Sequence, residues 1–331
     1  MLSKLISRRR SAVMATALVA CLGSGMSSGM AQAAVDSVHF LIPGGAGGGW
    51  DGTARGTGEA LSKSGLVETV SYENLSGGGG GKAIAHLIEI ADQSQDTLMV
   101  NSTPIVIRSL SKMFPQSFRD LTPVAATVGD FGAFVVKADS KYTSFNQLAD
   151  AYLENPRAVT VVGGSARGSM DHLVAAMAFK AAGGDPRRVK YLAYDAGGKA
   201  MAGLLSGEAD VLSTGFSEAL VLAEAGEVRI LAMTGHERSS AAPEVPTLQE
   251  LGYDASFVNW RGFFAAPGLP QSKRDEFIGV LEKMYATPEW EAVRDRNGWA
   301  EDFRPGDEFV TFLEQQEQEI GTLMRELGFL K

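Results

Sequence analysis

The chain has 331 residues, which suggests about two domains at roughly 100–200 residues each. Hydrophobic residues make up 45% and charged residues 21% of the chain, a balance that excludes a disordered or polytopic membrane protein. A net charge of −9 argues against nucleic-acid binding, which needs a basic surface, and a single cysteine excludes an intrachain disulfide framework and cysteine-based metal clusters.

Residues 1–33 have the pattern of an export signal. Basic residues within 4–10 precede an apolar run at 12–22, and a small-residue cleavage site follows at 31–33. The run is shorter than the about 20 residues that a membrane-spanning helix needs. An alternative is a lipoprotein signal in which Cys21 is acylated, and the paired arginines weakly resemble a twin-arginine start. Each interpretation places the protein outside the cytoplasm, and we expect the periplasm.

Short runs rich in β-branched residues alternate with stretches of helical spacing in the rest of the chain. The runs that predict buried strands are 38–42, 70–74, 98–101, 133–136, 159–162, 189–194, 211–213, 228–233 and 263–266. Helical spacing is clearest at 170–181, 271–285 and 307–328. This alternation predicts an α/β protein whose parallel sheets carry helices on both faces.

No single long linker divides the chain. The strand-like stretches around 124–136 and 255–266 are candidate crossovers between two lobes. We therefore predict one discontinuous lobe of residues 34–130 plus 256–331, and a second lobe of residues 131–255.

A glycine-rich segment at 43–51 directly follows the first predicted strand and opens a helix. Five of the six residues 44–49 are glycine, so the backbone can approach a ligand closely while the next helix directs its unpaired N–H groups at an anion. The alternative is an ordinary strand-to-helix turn. The spacing Gly47, Gly49 and Gly52, with Glu73 about 20 residues on, also meets the dinucleotide-binding pattern, although a glycine-dense segment meets it easily.

A second loop, at 163–169, likewise leaves a strand and enters a helix. It combines glycines with the hydroxyl groups of Ser165 and Ser169 and the guanidinium of Arg167. Ser169 is alternatively a helix N-cap, and Arg167 is alternatively a solvated surface charge. Two such loops, one in each predicted lobe, favour a cleft that closes on a molecule with two or more carboxylates.

Catalytic or metal-binding patterns are not found. The histidines at 39, 86, 172 and 236 lack metal-ligand spacing, and Ser165 lacks the glycine two residues later that a nucleophile elbow requires. We therefore predict a protein that is not an enzyme and that needs no cofactor and no metal.

At these loops the sequence resembles the substrate-binding proteins of tripartite tricarboxylate transporters, the TctC or Bug family. The segments that carry the resemblance are 43 with 47–51, 73–74 with 77–81, 163–172, 194 with 197–198, 229–234, 238–243 with 245–247, and 260 with 263–267. The resemblance implies a type II periplasmic binding protein, with two doubly wound α/β lobes joined by hinge crossovers and the ligand between them.

The resemblance also implies which residues hold the ligand. Carried over by position, the candidate residues are Gly47, Gly48, Gly49, Trp50 and Asp51 at one carboxylate, Ser165, Gly168 and Ser169 at the other end, and Tyr194, Thr214 and Trp260 nearby. Arg167 and Arg261 would neutralise further carboxylates. Alternatively, Trp50 and Trp260 only pack, and Arg261 pairs with an acid. Many relatives have Asp-Asn where this chain has Thr214 and Gly215, so an acidic group is missing there.

The functional prediction is a periplasmic receptor for a small di- or tricarboxylate, with a citrate-like ligand favoured. We expect a monomer that delivers its ligand to the permease subunits of a tripartite tricarboxylate transporter and that does not bind nucleic acid. The alternatives are an exported nucleotide-dependent oxidoreductase, which would use the first glycine-rich loop, and a carboxylate receptor for a sensor kinase.

Overall fold

Strands and helices alternate along the chain from Val35 to the C-terminal helix. The computed structural model describes residues 35–331, so the predicted export signal and Cys21 lie outside the described residues. The strands are β1 (Val35–Ile42), β2 (Val67–Asn74), β3 (Thr97–Ser102), β4 (Thr122–Lys137), β5 (Thr160–Gly163), β6 (Lys190–Ala193), β7 (Val211–Gly215), β8 (Val228–Met233), β9 (Val258–Ala265) and β10 (Ala300–Pro305). The α-helices are α1 (Gly49–Lys63), α2 (Gly81–Glu89), α3 (Pro104–Leu110), α4 (Phe145–Glu154), α5 (Met170–Ala181), α6 (Gly197–Leu205), α7 (Phe216–Glu224), α8 (Gln271–Tyr285), α9 (Pro288–Asn297) and α10 (Gly306–Glu326).

The α/β class predicted from the sequence is confirmed. Every predicted strand overlaps an observed one, and helices α5 and α8 have the predicted bounds. Strand β10 was not predicted because half of its residues are charged and its apolar residues do not alternate with polar ones. It forms through its antiparallel pairing with β4.

The sheet has the order β2-β1-β3-β9-β4-β7-β5-β6, and β8 and β10 also pair with β4. Strand β1 is parallel to β2 and β3, and β5 is parallel to β6 and β7. Strand β4 connects these two parallel groups: residues 122–131 pair with β9, and residues 132–137 pair with β7 and β8. The division into lobes at 34–130 plus 256–331 and 131–255 stays a prediction.

Burial of the strands follows their place in the sheet. Central β3 is buried along its whole length, whereas edge strand β2 is largely exposed. Phe40 on β1 packs between Tyr72 and Phe263, at ring-centroid distances of 5.7 and 5.3 Å. Burial of a large apolar side chain contributes about 1.5–3 kcal/mol, so such contacts hold β1 in register.

The carboxyl ends of the parallel strands lead directly into helices. Strand β1 leads into α1, β3 into α3, β5 into α5 and β7 into α7. Ligands of α/β proteins bind at the carboxyl ends of parallel strands, where helix N-termini offer free N–H groups. Among the described residues, no helix is both long and apolar enough to cross a membrane.

Candidate functional site

A cavity of about 360 Å³ lies where the loops after β1, β3, β5, β6 and β7 meet. This volume is within the range of sites for small molecules, about 300–1,000 Å³. The predicted residues that line it are Gly48, Gly49, Trp50, Ser165, Ser169, Tyr194 and Arg261. The predicted residues that do not line it are Gly47, Asp51, Arg167, Gly168, Thr214 and Trp260. The two glycine-rich loops are therefore brought together as expected, but part of each supports the cavity wall from behind.

Trp260 and Arg167 lie outside the cavity for different reasons. Trp260 is 1% exposed, and its ring packs edge-on against Phe309 at a centroid distance of 5.3 Å, so it belongs to the core. Arg167 is exposed and donates a hydrogen bond to the carbonyl oxygen of Tyr191 at 3.1 Å. For both residues the structure shows the alternative role considered from the sequence, packing for Trp260 and a surface position for Arg167.

The first glycine-rich loop is fastened by Asp51. The N–H of Gly47 donates to Oδ2 of Asp51 at 3.0 Å, while Oδ1 accepts hydrogen bonds from Arg55 at 2.9 Å and from Asn74 at 3.0 Å. Asn74 also donates to the carbonyl oxygen of Gly44 at 3.0 Å. Asp51 therefore acts on the loop from its buried side, and the amide of Gly47 is already used within the protein.

Trp50 forms part of the cavity wall next to this loop. Its indole Nε1–H donates to the hydroxyl oxygen of Ser102 at 2.9 Å, which joins α1 to the end of β3. Glu73, the candidate ribose ligand, does not line the cavity; its carboxylate lies 3.6 Å from the ring of His39. The structure thus offers no support for a dinucleotide at this loop.

Arg261 is buried at the base of the first loop and forms an ion pair with Asp130. The side chains are 3% and 0% exposed, and Nη2 of Arg261 donates to Oδ2 of Asp130. Nη1 donates to the carbonyl oxygen of Gly49 at 2.9 Å and to Oγ1 of Thr53 at 3.1 Å. A Cβ on Gly49 would overlap this guanidinium, so the close approach requires glycine. The structure therefore shows the alternative in which Arg261 pairs with an acid, Asp130.

A second buried arginine, Arg108, lines the cavity without a partner. Arg108 lies on α3 and is 3% exposed, yet its guanidinium has no acidic partner and no hydrogen bond among residues 35–331. Burial lowers the pKa of Arg108 because the charged form loses its hydration. The guanidinium lies against Gly79, where a Cβ would overlap it. A buried cation without a counter-charge is costly, so this position favours an anion in the cavity.

The second loop is fastened by an exchange of hydrogen bonds with α5. The N–H of Ser165 donates to Oδ2 of Asp171 at 2.9 Å, and the N–H of Asp171 donates to Oγ of Ser165 at 2.9 Å. The N–H of Gly168 donates to Nδ1 of His172 at 3.0 Å. Burial is the main cause that lowers the pKa of His172 to about 4, so the ring is neutral at pH 7 and accepts this hydrogen bond.

Two acids, Asp171 and Glu218, face the cavity from α5 and α7. Burial, and to a smaller extent repulsion from Glu218, raise the pKa of Asp171 to about 7. Burial also raises the pKa of Glu218, against the opposing attraction of Arg261. Oε2 of Glu218 accepts hydrogen bonds from Thr214 Oγ1 and Gly215 N, both at 2.9 Å, so Thr214 positions this acid instead of lining the cavity.

Sequence reasoning missed Arg108, Asp171 and Glu218 as cavity residues. Arg108 interrupts the buried apolar run of α3, and an arginine within such a run is the signal that would have singled it out. Among residues 35–331, no group of three histidine, cysteine or acidic side chains is placed to hold a metal ion. The donors that face the cavity are one free guanidinium, hydroxyl groups and backbone N–H groups, which suit a carboxylate.

Comparison with known proteins gives a family match over most of the chain. Residues 53–329 match the model of the family described as "Tripartite tricarboxylate transporter family receptor". A curated relative from Pseudomonas sp. strain P51, a UPF0065 protein encoded in the tcbD-tcbE intergenic region, is 28% identical over 256 residues, which cover 76% of this chain and 74% of the relative.

Solved structures show the same fold at low sequence identity. MatC from Rhodopseudomonas palustris, with bound malate, is 19% identical with a TM-score of 0.76 and covers 87% of this chain and 98% of its own. A second R. palustris protein, solved with adipate, is 20% identical with a TM-score of 0.77 and covers 89% of this chain and 97% of its own. These structural matches extend the similarity to nearly all of the described chain.

Proposed function

The chain belongs to the tripartite tricarboxylate transporter family of receptors, and from this premise we propose that it binds a small di- or tricarboxylate, citrate-like compounds among them, outside the cytoplasm. Proteins of this family are solute receptors, not enzymes, which removes the alternative of an exported oxidoreductase. The proposal further includes delivery of the ligand, by a monomeric receptor in the periplasm, to the membrane subunits of a tripartite transporter.

One observation carries the proposal: the unpaired, buried guanidinium of Arg108 at the cavity wall. A carboxylate of the ligand would restore the hydrogen bonds that this guanidinium lacks, in the planar two-point geometry that arginine and carboxylate share. Hydrogen bonds to charged groups each contribute about 1.5–3 kcal/mol. Two or three of them contribute about 3–9 kcal/mol before the entropy of binding is subtracted, so burial of the rest of the ligand must supply part of the roughly −8 kcal/mol of a micromolar dissociation constant.

Two further features support an organic acid as the ligand. The N-termini of α1 and α5 face the cavity through Gly49 and Ser169, and helix N-termini favour negative charge by about 0.3–1 kcal/mol. The two structural neighbours from R. palustris contain malate and adipate, which are both dicarboxylates. A receptor that signals to a sensor kinase would present the same cavity, and neighbouring genes for one large and one small membrane subunit would favour transport.

Calorimetric titration tests the proposal directly. The ligands are citrate, isocitrate, tricarballylate, succinate, glutamate and terephthalate, measured against wild type, Arg108→Gln and Arg119→Gln. Arg119 is the matched control because it is half-exposed and pairs with Glu317 at 3.0 Å. We expect Arg108→Gln to weaken every carboxylate about 10- to 150-fold, as the loss of about 1.5–3 kcal/mol requires, and Arg119→Gln to change nothing. Equal affinities of Arg108→Gln and wild type, or binding of only neutral or cationic compounds, would contradict the proposal.

A second pair of variants tests the position of Arg108 without removing its charge. Gly78 and Gly79 both have positive φ, +58° and +64°, so alanine causes similar backbone strain at either site. A Cβ on Gly79 would overlap the guanidinium of Arg108, whereas a Cβ on Gly78 meets nothing within 4 Å. Gly79→Ala should therefore weaken carboxylates well beyond Gly78→Ala, and equal effects would place the ligand elsewhere.

A further inference from the structure

The cavity has a second polar wall whose chemistry is opposite to that of Arg108. Asp171 and Glu218 both line it, one at the first turn of α5 and the other at the first turn of α7. Neither carboxyl group forms a salt bridge among residues 35–331; Arg261, which attracts the charge of Glu218, donates through Nη2 to Asp130. Within this part of the chain, two acids without a salt bridge therefore share the cavity with Arg108, which has none either.

Each of these carboxyl groups is held in place by hydrogen bonds from the residues next to it. Oδ2 of Asp171 accepts from the N–H of Ser165, and Oε2 of Glu218 accepts from Thr214 and Gly215. The backbone of Gly164 also donates to the carboxyl group of Asp171. Both acids are thus fixed in position where they line the cavity.

We propose that Asp171 and Glu218 form a proton-dependent subsite that binds the ligand's second carboxylate through a carboxyl–carboxylate hydrogen bond. This inference rests on the proposed function, because it assumes that a first carboxylate binds at Arg108. Binding involves one proton. A protonated carboxyl O–H of the pair donates to the ligand oxygen, and above neutral pH the pair takes up this proton from solvent when the ligand binds. Apart from the O–H bond that this proton forms with the carboxylate, no covalent bond forms or breaks.

The surroundings of the pair favour a neutral, proton-bearing state. Repulsion from Glu218 acts on Asp171 from α7, and repulsion from Asp130 acts on Glu218 from β4. Tyr191 on β6 lies beside Asp171 with a pKa well above its ordinary value, so it remains neutral. The neighbouring His172 is neutral too, Arg167 lies at the exposed end of the loop, and only Arg261 on β9 attracts a charge on Glu218. Burial first, and then repulsion from Glu218, raise the pKa of Asp171 to about 7, against the hydrogen bonds from Ser165 and Gly164.

The alternative occupant of this wall is an ammonium group, which would require both acids to be ionised. The two possibilities predict opposite responses to pH. A second carboxylate binds more weakly as pH rises, because the pair must take up a proton. An ammonium group binds more tightly as pH rises through the pKa of the pair.

The experiment measures calorimetric affinities of succinate, adipate, butyrate and 4-aminobutyrate from pH 6 to 8.5, in two buffers of different ionisation enthalpy. The carboxyl groups of all four compounds are ionised above pH 7. For succinate and adipate we expect uptake of about one proton and an affinity that falls about tenfold per pH unit above pH 7, the limit for one linked proton. Butyrate, which has no second carboxylate, should show neither effect.

Variants identify the groups that carry the proton. The side chains introduced by Asp171→Asn and Glu218→Gln can donate a hydrogen bond but do not titrate. Because the charges of the two acids affect each other, each variant should flatten the pH dependence of binding. Each should also bind succinate at least tenfold more tightly than wild type at pH 8.5. Asp195→Asn serves only to compare an exposed acid at the site, because Asp195 also lines the cavity but is 54% exposed with Lys199 3.5 Å away. Asp302→Asn is the control that should behave as wild type. Asp302 lies outside the cavity, is 13% exposed at its side chain and pairs with Arg304 at 2.6 Å.

Three outcomes would overturn the inference and separate it from the proposed function. Binding of succinate and adipate that depends on Arg108 but not on pH would remove the subsite and leave the receptor intact. A preference for 4-aminobutyrate that is lost in Glu218→Gln would assign the wall to an ammonium group. Failure of every carboxylate to bind at any pH would remove the inference and the proposed function together.

Discussion

The two glycine-rich loops are held in place by the same kind of hydrogen bond to an aspartate, but only one of the two aspartates has a cationic partner in the described part of the chain. In each, an aspartate in the first turn of the following helix accepts a hydrogen bond from a loop amide: Asp51 from Gly47, and Asp171 from Ser165. Asp51 is also paired with Arg55 at 2.9 Å, whereas Asp171 has no cationic partner among the described residues. The same fastening therefore produces a neutralised support in the first loop and a titratable group in the second.

The difference lies in where each aspartate faces. Asp51 lies behind the first loop, outside the cavity wall, where Arg55 reaches it from the surface. Asp171 faces the cavity and lies among Tyr191, Ser165 and Glu218, which offer no positive charge. We infer that the second loop changes its charge near neutral pH, whereas the aspartate of the first loop is paired with Arg55.

Arg261→Met should cause the largest loss of stability, because Arg261 joins the first loop to the core. The change leaves Asp130, with its side chain fully buried, without its cation and removes the hydrogen bond to Gly49. Breaking a buried pair from one side costs about 3–5 kcal/mol. Urea unfolding at pH 7 measures the change in the free energy of unfolding.

The double variant Arg261→Met with Asp130→Asn is the control for that prediction. It removes the charge that Asp130 would keep without a partner, so it should recover a large part of the lost free energy of unfolding. Replacement of a whole buried ion pair is often close to neutral for stability. A single variant that loses less than about 1 kcal/mol would show that the pair contributes no more than a surface ion pair does.

Asp171→Asn should raise stability at high pH, in contrast to the loss expected at the first loop. The carboxyl group of Asp171 has a pKa of about 7 in the folded protein and an ordinary value of 3.8 in the unfolded chain, so the folded state holds more protons between these pH values. Stability therefore falls as pH rises from about 4 to 7 and stays low above. Removal of the charge should flatten this decline and stabilise the protein at pH 8 by on the order of 2–4 kcal/mol. Urea unfolding of the variant and of wild type at pH 5 and 8 measures the difference in their free energies of unfolding. The same difference at both pH values would contradict the raised pKa of Asp171.

Most of the fold can be predicted from the local sequence, but only part of the contrast between the two glycine-rich loops can. Apolar runs such as 98–101 predict strands because a buried central strand needs no information beyond its own residues. Strand β10 could not be predicted in this way, because its residues form a strand only by pairing with β4. Both loops could be predicted because each combines a strand end, glycines and a helix start within ten residues.

The charges at the site could not be assigned in the same way. The partner of Arg261 is Asp130, which is 131 residues away in the chain, and the space for Arg108 is provided by Gly79 on another loop. Sequence spacing does not reveal which arginine remains free once the chain has folded. The sequence predicts Arg167 and Arg261 at the ligand, whereas in the structure Arg261 pairs with Asp130, Arg167 lies at the surface and Arg108 lines the cavity without a salt bridge to any described residue.

Asp51→Asn should have the smallest effect, a loss of about 1 kcal/mol at pH 7. The asparagine keeps an oxygen that accepts from Gly47, and what it loses is the attraction to Arg55, whose side chain is 49% exposed. Pairs with an exposed partner contribute about 0–1 kcal/mol because water and salt screen them. A double-mutant cycle with Arg55→Gln isolates this attraction. A coupling energy below 1 kcal/mol that decreases in high salt would show that Asp51 acts mainly as a hydrogen-bond acceptor. A coupling of several kcal/mol would instead mean that the first loop depends on charge as much as the second, and the contrast between the loops would fail.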